Sequence, residues 1–253
     1  MRCIVTRPRA QALPQVERLC AAGIDAVALP LIEIAPPADP APVAAAWHAI
    51  RGQALVMFVS ANAVERFFAA QPAGVHWPAA VRAGATGPGT TAALHAAGVP
   101  AAAIDAPAVP PFETEALWQQ LRLRDWAGRR VLVVRGEQGR DWLAAQMRAA
   151  GATVRFVAAY ARRLPQLDAA GRALLAQACA EPRGCAWLFS SAEAAANLGV
   201  LAPAADWSAA TALATHPRIA AAARRLGFGR VLDAPVLLPE LIAQVRSLQS
   251  APS

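Results

Sequence analysis

The residues best suited to chemistry sit in short turns that follow an apolar run and precede a helical pattern. They are Thr6-Arg7-Pro8, Ser60-Ala61-Asn62, Gly87-Pro88-Gly89-Thr90, Arg135-Gly136-Glu137-Gln138-Gly139-Arg140 and Ser190-Ser191. Where a strand runs into a helix, the first helical N–H groups lack partners and the helix dipole presents its positive end. Hydroxyls, glycines and guanidiniums at such points suit carboxylates or phosphates. Each turn alone is also an ordinary helix start, but five of them gathered at strand ends point to an anionic ligand. The stretch Gly87-Pro88-Gly89-Thr90-Thr91-Ala92 matches the dinucleotide pattern G-x-G-x-x-A only weakly. A proline sits inside its tight turn, and the preceding strand is short and contains Arg82. No Ser-His-Asp or Cys-His arrangement can be read from the spacing. His48, His76, His95 and His216 are scattered and offer no metal-ligand spacing.

Composition narrows the chemistry further. The 253 residues carry a net charge of +7, and all 24 basic residues are arginine, because the sequence contains no lysine. That excludes Schiff-base lysine enzymes and ordinary P-loop NTPases. The arginines form doublets, Arg129-Arg130, Arg162-Arg163 and Arg224-Arg225, rather than a tail, and aromatic residues do not interleave with them. No nucleic-acid partner is expected, and a polyanionic small molecule is the sharper reading of the charge. The apolar fraction of 56% is dominated by 67 alanines, and no stretch of about 20 strongly apolar residues is free of charges and breakers. No membrane association is expected, and the opening Met1–Pro8 does not read as a signal peptide, so a cytoplasmic location is expected. Cys3, Cys20 and Cys185 fall in strands or at apolar helix positions and read as buried, inert thiols. The seven tryptophans read as packing residues.

The elements that must position these turns alternate between strand and helix, which implies α/β architecture with parallel sheets covered on both faces. Arg2–Val5 reads as a strand, Ala10–Ala22 as a helix ended by Gly23, with Leu13, Val16, Leu19 and Cys20 as its apolar positions, and Ile24–Leu29 as a strand. The same pattern recurs in Arg130–Val134, Asp141–Ala150 with Gly151, and Thr153–Ala159. The offset is 128 residues throughout, placing Arg135 opposite Arg7 and Tyr160 opposite Ile32. A second unit is also doubled. Ala54–Val59 running into Ser60 matches Cys185–Phe189 running into Ser190-Ser191. Gly87 to Gly98 spans the same 11 residues as His216 to Gly227. The order A, B, A′, B′ is a duplication rather than a solenoid. Pairing B with A′ leaves A and B′, from the two chain ends, to form the other domain. The expected boundaries are 1–35 with 166–253 for domain 1 and 40–161 for domain 2. Linkers are expected at about 35–42, where prolines cluster, and at about 161–168. Two domains on two strands suggest a hinge with a cleft.

Taken in order, these motifs resemble the uroporphyrinogen-III synthase family along nearly the whole chain. The resemblance rests on Val5-Thr6-Arg7-Pro8, Leu29-Pro30-Leu31-Ile32-Glu33-Ile34, Phe58-Val59-Ser60-Ala61-Asn62 and Gly87-Pro88-Gly89-Thr90-Thr91-Ala92. It continues through Val133-Val134-Arg135-Gly136, Gly139-Arg140, Tyr160-Ala161-Arg162 and Phe189-Ser190-Ser191. The resemblance implies an α/β fold of two flavodoxin-like parallel-sheet domains joined by a two-stranded linker. It implies cyclisation of linear hydroxymethylbilane to uroporphyrinogen III with inversion of the last pyrrole ring, without metal or organic cofactor. The partner is then a linear tetrapyrrole bearing eight carboxylates, which suits a basic chain, and a monomer is expected.

The family places a tyrosine at the position of Tyr160, so the resemblance implies that Tyr160 assists departure of the terminal hydroxyl as a proton donor. Thr90 matches the threonine of the family's Gly-x-x-Thr turn. With Gly87, Ser60, Ser191, Arg7, Arg135, Gly136 and Arg140 it makes up the expected substrate-binding set. The second such turn departs from the family form. His216-Pro217-Arg218-Ile219 stands where Gly-Pro-x-Thr is usual, so Arg218 is the expected anion contact there. The competing reading is a non-catalytic two-domain protein that binds an anionic small molecule.

Overall fold

The computed structural model describes residues 1–109 and 112–250. Pro110, Pro111 and residues 251–253, which fall within the expected domain ranges, lie outside the described residues. The chain divides into two compact units, Met1–Glu33 with Arg163–Ser253, and Ile34–Arg162.

The first unit takes β1 (Arg2–Val5), α1 (Arg9–Ala21) and β2 (Ala26–Ala28) from one end of the chain. The second unit follows with β3 (Glu33–Ala35) at its edge, α2 (Ala41–His48), β4 (Leu55–Phe58), α3 (Ala61–Ala69), β5 (Arg82–Ala85), α4 (Pro88–Ala96) and β6 (Ile104–Asp105). It is completed by α5 (Thr114–Leu121), β7 (Arg130–Gly136), α6 (Trp142–Ala149) and β8 (Thr153–Arg163). The chain then returns to the first unit with α7 (Ala169–Ala180), β9 (Cys185–Phe189), α8 (Ala192–Leu201), β10 (Thr211–Ala214), α9 (Pro217–Leu226), β11 (Arg230–Asp233) and α10 (Leu238–Ser250).

The first unit holds a five-stranded sheet in the order β11-β10-β9-β1-β2, parallel throughout. Its middle strands are apolar on both faces, as a sheet covered by helices on each side requires. Cys3, Ile4 and Val5 of β1, and Ala186, Trp187, Leu188 and Phe189 of β9, are all buried. The second unit holds a six-stranded sheet in the order β3-β8-β7-β4-β5-β6, with β8, β7, β4, β5 and β6 parallel. Both sheets share one spatial plan. The chain fills outward from a central strand and then jumps back to fill the other side, which makes a reversal point between β1 and β9 and another between β4 and β7. Gly23 and Gly151, 128 residues apart, both end their helices with φ of +79° and +92°, a conformation glycine adopts without Cβ strain.

Three local expectations change. Cys20 is exposed, whereas Cys3 and Cys185 are buried. The inward stripe of α1 runs through Ala12, Val16 and Leu19, so Leu13, at 42% exposure, and Cys20 fall beside it. Burial pushes the Cys3 thiol up to about 12, with the charge of Asp25 adding to the effect. Helix α6 starts at Trp142, with Asp141 at its N-cap position. The third change concerns β8, which does not stop at Ala159 but runs on to Arg163, so Tyr160 lies inside a strand.

Candidate active site

In open parallel sheets, ligands gather beyond the carboxyl ends of the strands, next to the point where strand order reverses. In the second unit that point lies between β4 and β7. Ser60 follows β4 and caps α3, its Oγ accepting from the Ala63 N–H at 3.2 Å. The same Oγ lies 3.1 Å from the hydroxyl of Tyr160. Ser60 Oγ accepts the Ala63 N–H and keeps its proton and a second lone pair, so either hydroxyl can donate to the other. With Ser60 as the donor, the phenol proton is left for a third group.

Tyr160 reaches Ser60 because of a bulge. β7 and β8 stay in register from Arg130↔Thr153 to Arg135↔Ala158, and then Gly136 faces Tyr160, leaving Ala159 as the extra residue. An extra residue reverses the alternation of faces. Val157 and Ala159 already point into the core formed with β4 and α3, and after the bulge Tyr160 joins them there. The ring lies against Gly136, where a Cβ would stand 3.1 Å from ring atoms Cε2 and Cζ. Tyr160 is only 3% exposed. It is a buried side chain inside a strand, held by a glycine on one side and a serine at its tip.

The other expected residues of this unit are placed less openly. Gly87 caps α4 with no side-chain hydrogen bond, Pro88 supplies no N–H, and the Thr90 and Thr91 N–H groups bond to the Gly87 carbonyl at 3.1 and 3.0 Å, so the Gly89 N–H is the donor this helix start has to offer. Thr90 is 6% exposed because it shares the inward face of α4 with Leu94, one turn on. The neighbouring Thr91 hydroxyl donates to the Gly87 carbonyl at 3.2 Å. Arg135 lies over the Phe156 ring at 4.1 Å and pairs with Asp141. Arg140 pairs with Glu115 at 3.3 Å, with both side chains largely in solvent. Both arginines thus meet protein carboxylates, which the spacing did not foretell.

In the first unit the reversal point lies between β1 and β9. The buried Thr6 hydroxyl donates to the Leu188 carbonyl at 2.7 Å and ties the two strand ends together. The next residue, Arg7, donates from Nε to the Ser190 hydroxyl at 3.1 Å. Burial lowers the pKa of the Arg7 guanidinium from its ordinary value. Among the described residues no carboxylate pairs with it. A half-buried guanidinium without a counter-charge is costly, and an incoming anion relieves that cost. Ser191 is occupied as the cap of α8, accepting from the Glu193 N–H at 3.2 Å. Ser190, which stood beside it in the turn, is the one that joins Arg7. His216 takes over the cap of α9, its Nδ1 accepting the Arg218 N–H at 3.1 Å. The imidazole thereby replaces the absent hydroxyl, and the Arg218 side chain is exposed on the first turn of α9.

Comparison with known proteins bears on this arrangement. The family model described as "Uroporphyrinogen-III synthase HemD" matches residues 14–239. This chain belongs to the uroporphyrinogen-III synthase family. A curated relative, the uroporphyrinogen-III synthase of Salmonella typhimurium (strain LT2), is 34% identical over 175 residues, 69% of this chain and 70% of the relative. Among solved structures, a mutant uroporphyrinogen III synthase from Thermus thermophilus is 19% identical, covers 98% of each chain and has a TM-score of 0.58. The uroporphyrinogen-III synthetase of Helicobacter pylori 26695 is 15% identical over 98% of this chain and 100% of that one, with a TM-score of 0.58. At those identities the structural likeness is one of fold. It supports an α/β fold of parallel sheets and helices.

Within this family member the expected set sorts by unit. Ser60, Tyr160 and Gly136 come together in contact, with Gly87 on a neighbouring strand end of the same sheet. Arg135 and Arg140 are on that unit too, but engaged with acids. Arg7 and Ser190 come together in the first unit, where Ser191 and Arg218 each start a helix. Sequence reasoning missed Ser190 as the Arg7 partner and His216 as a cap. The signal for the second was present, since a residue before Pro-Arg at a helix start is in the capping position. For Ser190 against Ser191 no sequence signal distinguishes the two. Among the described residues no group of three or more acidic, His or Cys side chains could hold a metal ion, and no helix is long and apolar enough to cross a membrane.

Proposed function

We propose that this chain closes linear hydroxymethylbilane to uroporphyrinogen III, inverting the terminal pyrrole ring, as a lyase of tetrapyrrole biosynthesis. Membership of the family carries the reading, and the Ser60–Tyr160 pair at a strand-order reversal supplies the chemistry. The terminal hydroxyl leaves as water once it receives a proton, giving an electrophilic azafulvene. The substituted carbon of the last ring attacks it, forming a spiro-pyrrolenine, which fragments and recloses with that ring inverted. Tyr160 hydrogen-bonds the departing oxygen, and Ser60, donating in turn to the phenol oxygen, keeps the phenol proton aimed outward. The bilane also closes unaided to the symmetrical isomer, so holding the chain in one folded geometry matters as much as lowering the barrier.

The carboxylate arms are bound in this proposal by Arg7 and Ser190, the starts of the helices at Gly87 and Ser191, and the exposed Arg218 guanidinium. Arg135, Gly136 and Arg140 contribute through shape and by exchanging Asp141 or Glu115 for substrate. The duplicated order A, B, A′, B′, with segments at about 35–42 and 161–168 as linkers, accounts for each unit having such a rim. The protein acts as a cytoplasmic monomer and without nucleic acid. The test is a product-isomer assay on freshly made hydroxymethylbilane. Predominantly type III porphyrin after oxidation is the expected result. Type I alone, at the spontaneous rate, would instead mean a binder of anionic small molecules. Tyr160→Phe is expected to lower kcat about tenfold, the worth of one charge-assisted hydrogen bond, with the type III product retained.

A further inference from the structure

At the amino ends of the strands of the second unit, away from Ser60 and Tyr160, lies a cavity of about 770 Å³. Its wall includes Arg51, Arg82, Arg124, Arg129 and Arg130. Two carboxylates stand with them: Asp125, in the wall, and Asp105, which both Arg82 and Arg124 grip. Arg82 Nε lies 2.6 Å from one Asp105 oxygen, and Arg124 lies 2.7 Å from each of the two. One carboxylate thus holds two guanidinium forks. Five guanidiniums against two carboxylates leave a local excess of three positive charges, a large part of the +7 of the whole chain.

The arrangement is held in place rather than left to wander. Arg130 donates from Nε to the Gly52 carbonyl at 2.9 Å, and its guanidinium lies across Gly52 where a Cβ would stand. Asp105 fixes the other two heads. Asp125 is itself spent on a turn, accepting the Ala127 N–H at 3.0 Å. Arg51 and Arg129 are exposed and make no ion pair among the described residues. A concave wall of one sign focuses the field on its interior, and the volume is that of a small-molecule site. Arg82 and Arg124 are spent on Asp105, with Arg82 Nη1 also donating to the Ala102 carbonyl at 3.1 Å, so the guanidiniums left to a ligand are those of Arg51, Arg129 and Arg130, whose planar forks favour oxyanions bound by two oxygens at once.

We propose that this cavity is a second binding site, for a small multivalent oxyanion carrying several phosphate or carboxylate groups. It is separate from the site of ring closure and does not depend on the function proposed for it. The test is calorimetric titration of the full chain with inorganic tripolyphosphate, with citrate as a second arm. Saturable binding that weakens with salt is expected. The double variant Arg51→Gln, Arg129→Gln changes only exposed side chains and is expected to bind at least about tenfold more weakly. Gly52→Ala, which displaces the Arg130 head, is expected to weaken binding as well. Arg7→Met, in the other unit, is expected to bind as the unaltered protein does. Tripolyphosphate binding far tighter than citrate assigns the site to phosphates, and equal binding assigns it to polycarboxylates as well. Unchanged affinity in the double variant, loss of binding in Arg7→Met, or no binding at about 1 mM ligand would overturn the proposal. Tighter binding of a single-stranded oligonucleotide that displaces tripolyphosphate would overturn the small-molecule assignment.

Discussion

Replacing Gly136 by alanine probes the packing that aims Tyr160. The added Cβ would meet ring atoms Cε2 and Cζ at 3.1 Å. Carbon atoms rest about 3.5–4.0 Å apart, so the ring must retreat by about 0.4–0.9 Å. Its way back is blocked, because Tyr160 is 3% exposed and packed with the core around Val134, Val157 and Ala159. The phenol oxygen stands 3.1 Å from Ser60 Oγ. If that retreat lies along the line away from Ser60, half an ångström takes the bond to about 3.6 Å, beyond useful geometry. Overpacking of this kind costs about 1–3 kcal/mol. Urea unfolding with a slope of about 1–3 kcal/mol/M should therefore show the midpoint falling by several tenths of a molar or more. Turnover should fall to about the level of Tyr160→Phe, because both changes remove the oriented hydroxyl. In the double variant the second change should add little, since the two act on one contact. A Gly136→Ala protein with unchanged midpoint and unchanged turnover would refute this account. So would a double variant whose losses in turnover simply add.

Arg7→Met removes a half-buried charge without a carboxylate partner, so stability is expected to hold or rise while KM increases at least about tenfold. A fall in stability with unchanged KM would make Arg7 a structural residue. His216→Ala is expected to cost about 1 kcal/mol by uncapping α9, and His216→Ser to restore most of it, read by thermal unfolding. Equal losses in both variants would remove the cap from the explanation. Burial opposes the charge of Asp105, but hydrogen bonds from Arg124 and Arg82, with their charges, outweigh it and hold its pKa below the ordinary carboxylate value. Its stabilisation is thus complete above the unfolded aspartate value of about 3.9 and is lost as pH falls through the lower folded value. Asp105→Asn is expected to cost about 2 kcal/mol at pH 7 in urea unfolding. That is less than a fully buried pair, because both arginines are over a third exposed and screened. The difference from the unaltered protein should shrink below about pH 4, and a constant difference down to pH 2 would contradict the ion-pair account.

The alternation of strands and helices was legible before any coordinates, because apolar runs and helical stripes are local patterns that burial enforces along the chain. So were the positions of the helix starts, since Ser60 and Ser191 are capping residues wherever they fold. The absence of lysine excluded whole reaction classes without any structure. Residue order alone carried the resemblance to the family. The partnerships between side chains are a different matter, and they came from the three-dimensional arrangement. Arg7 and Arg135 occupy equivalent offsets in the sequence, yet Arg135 meets Asp141 and Phe156 while Arg7 meets Ser190 and no acid among the described residues. Part of the difference is local, because Asp141 stands six residues after Arg135 whereas the same offset from Arg7 is Leu13; the contacts with Phe156 and Ser190 depend on which neighbouring strand lies alongside. Tyr160 is the plainest case. Periodicity ended its strand at Ala159, whereas pairing with β7 carries it through Tyr160, and the strand runs on to Arg163. One extra residue at the bulge then turns the ring from one face of the sheet to the other. A single-residue shift in register leaves composition and hydrophobic pattern untouched while reversing the side on which a side chain stands. That is why the tyrosine could be named from the sequence, but not its burial, its glycine seat or its bond to Ser60.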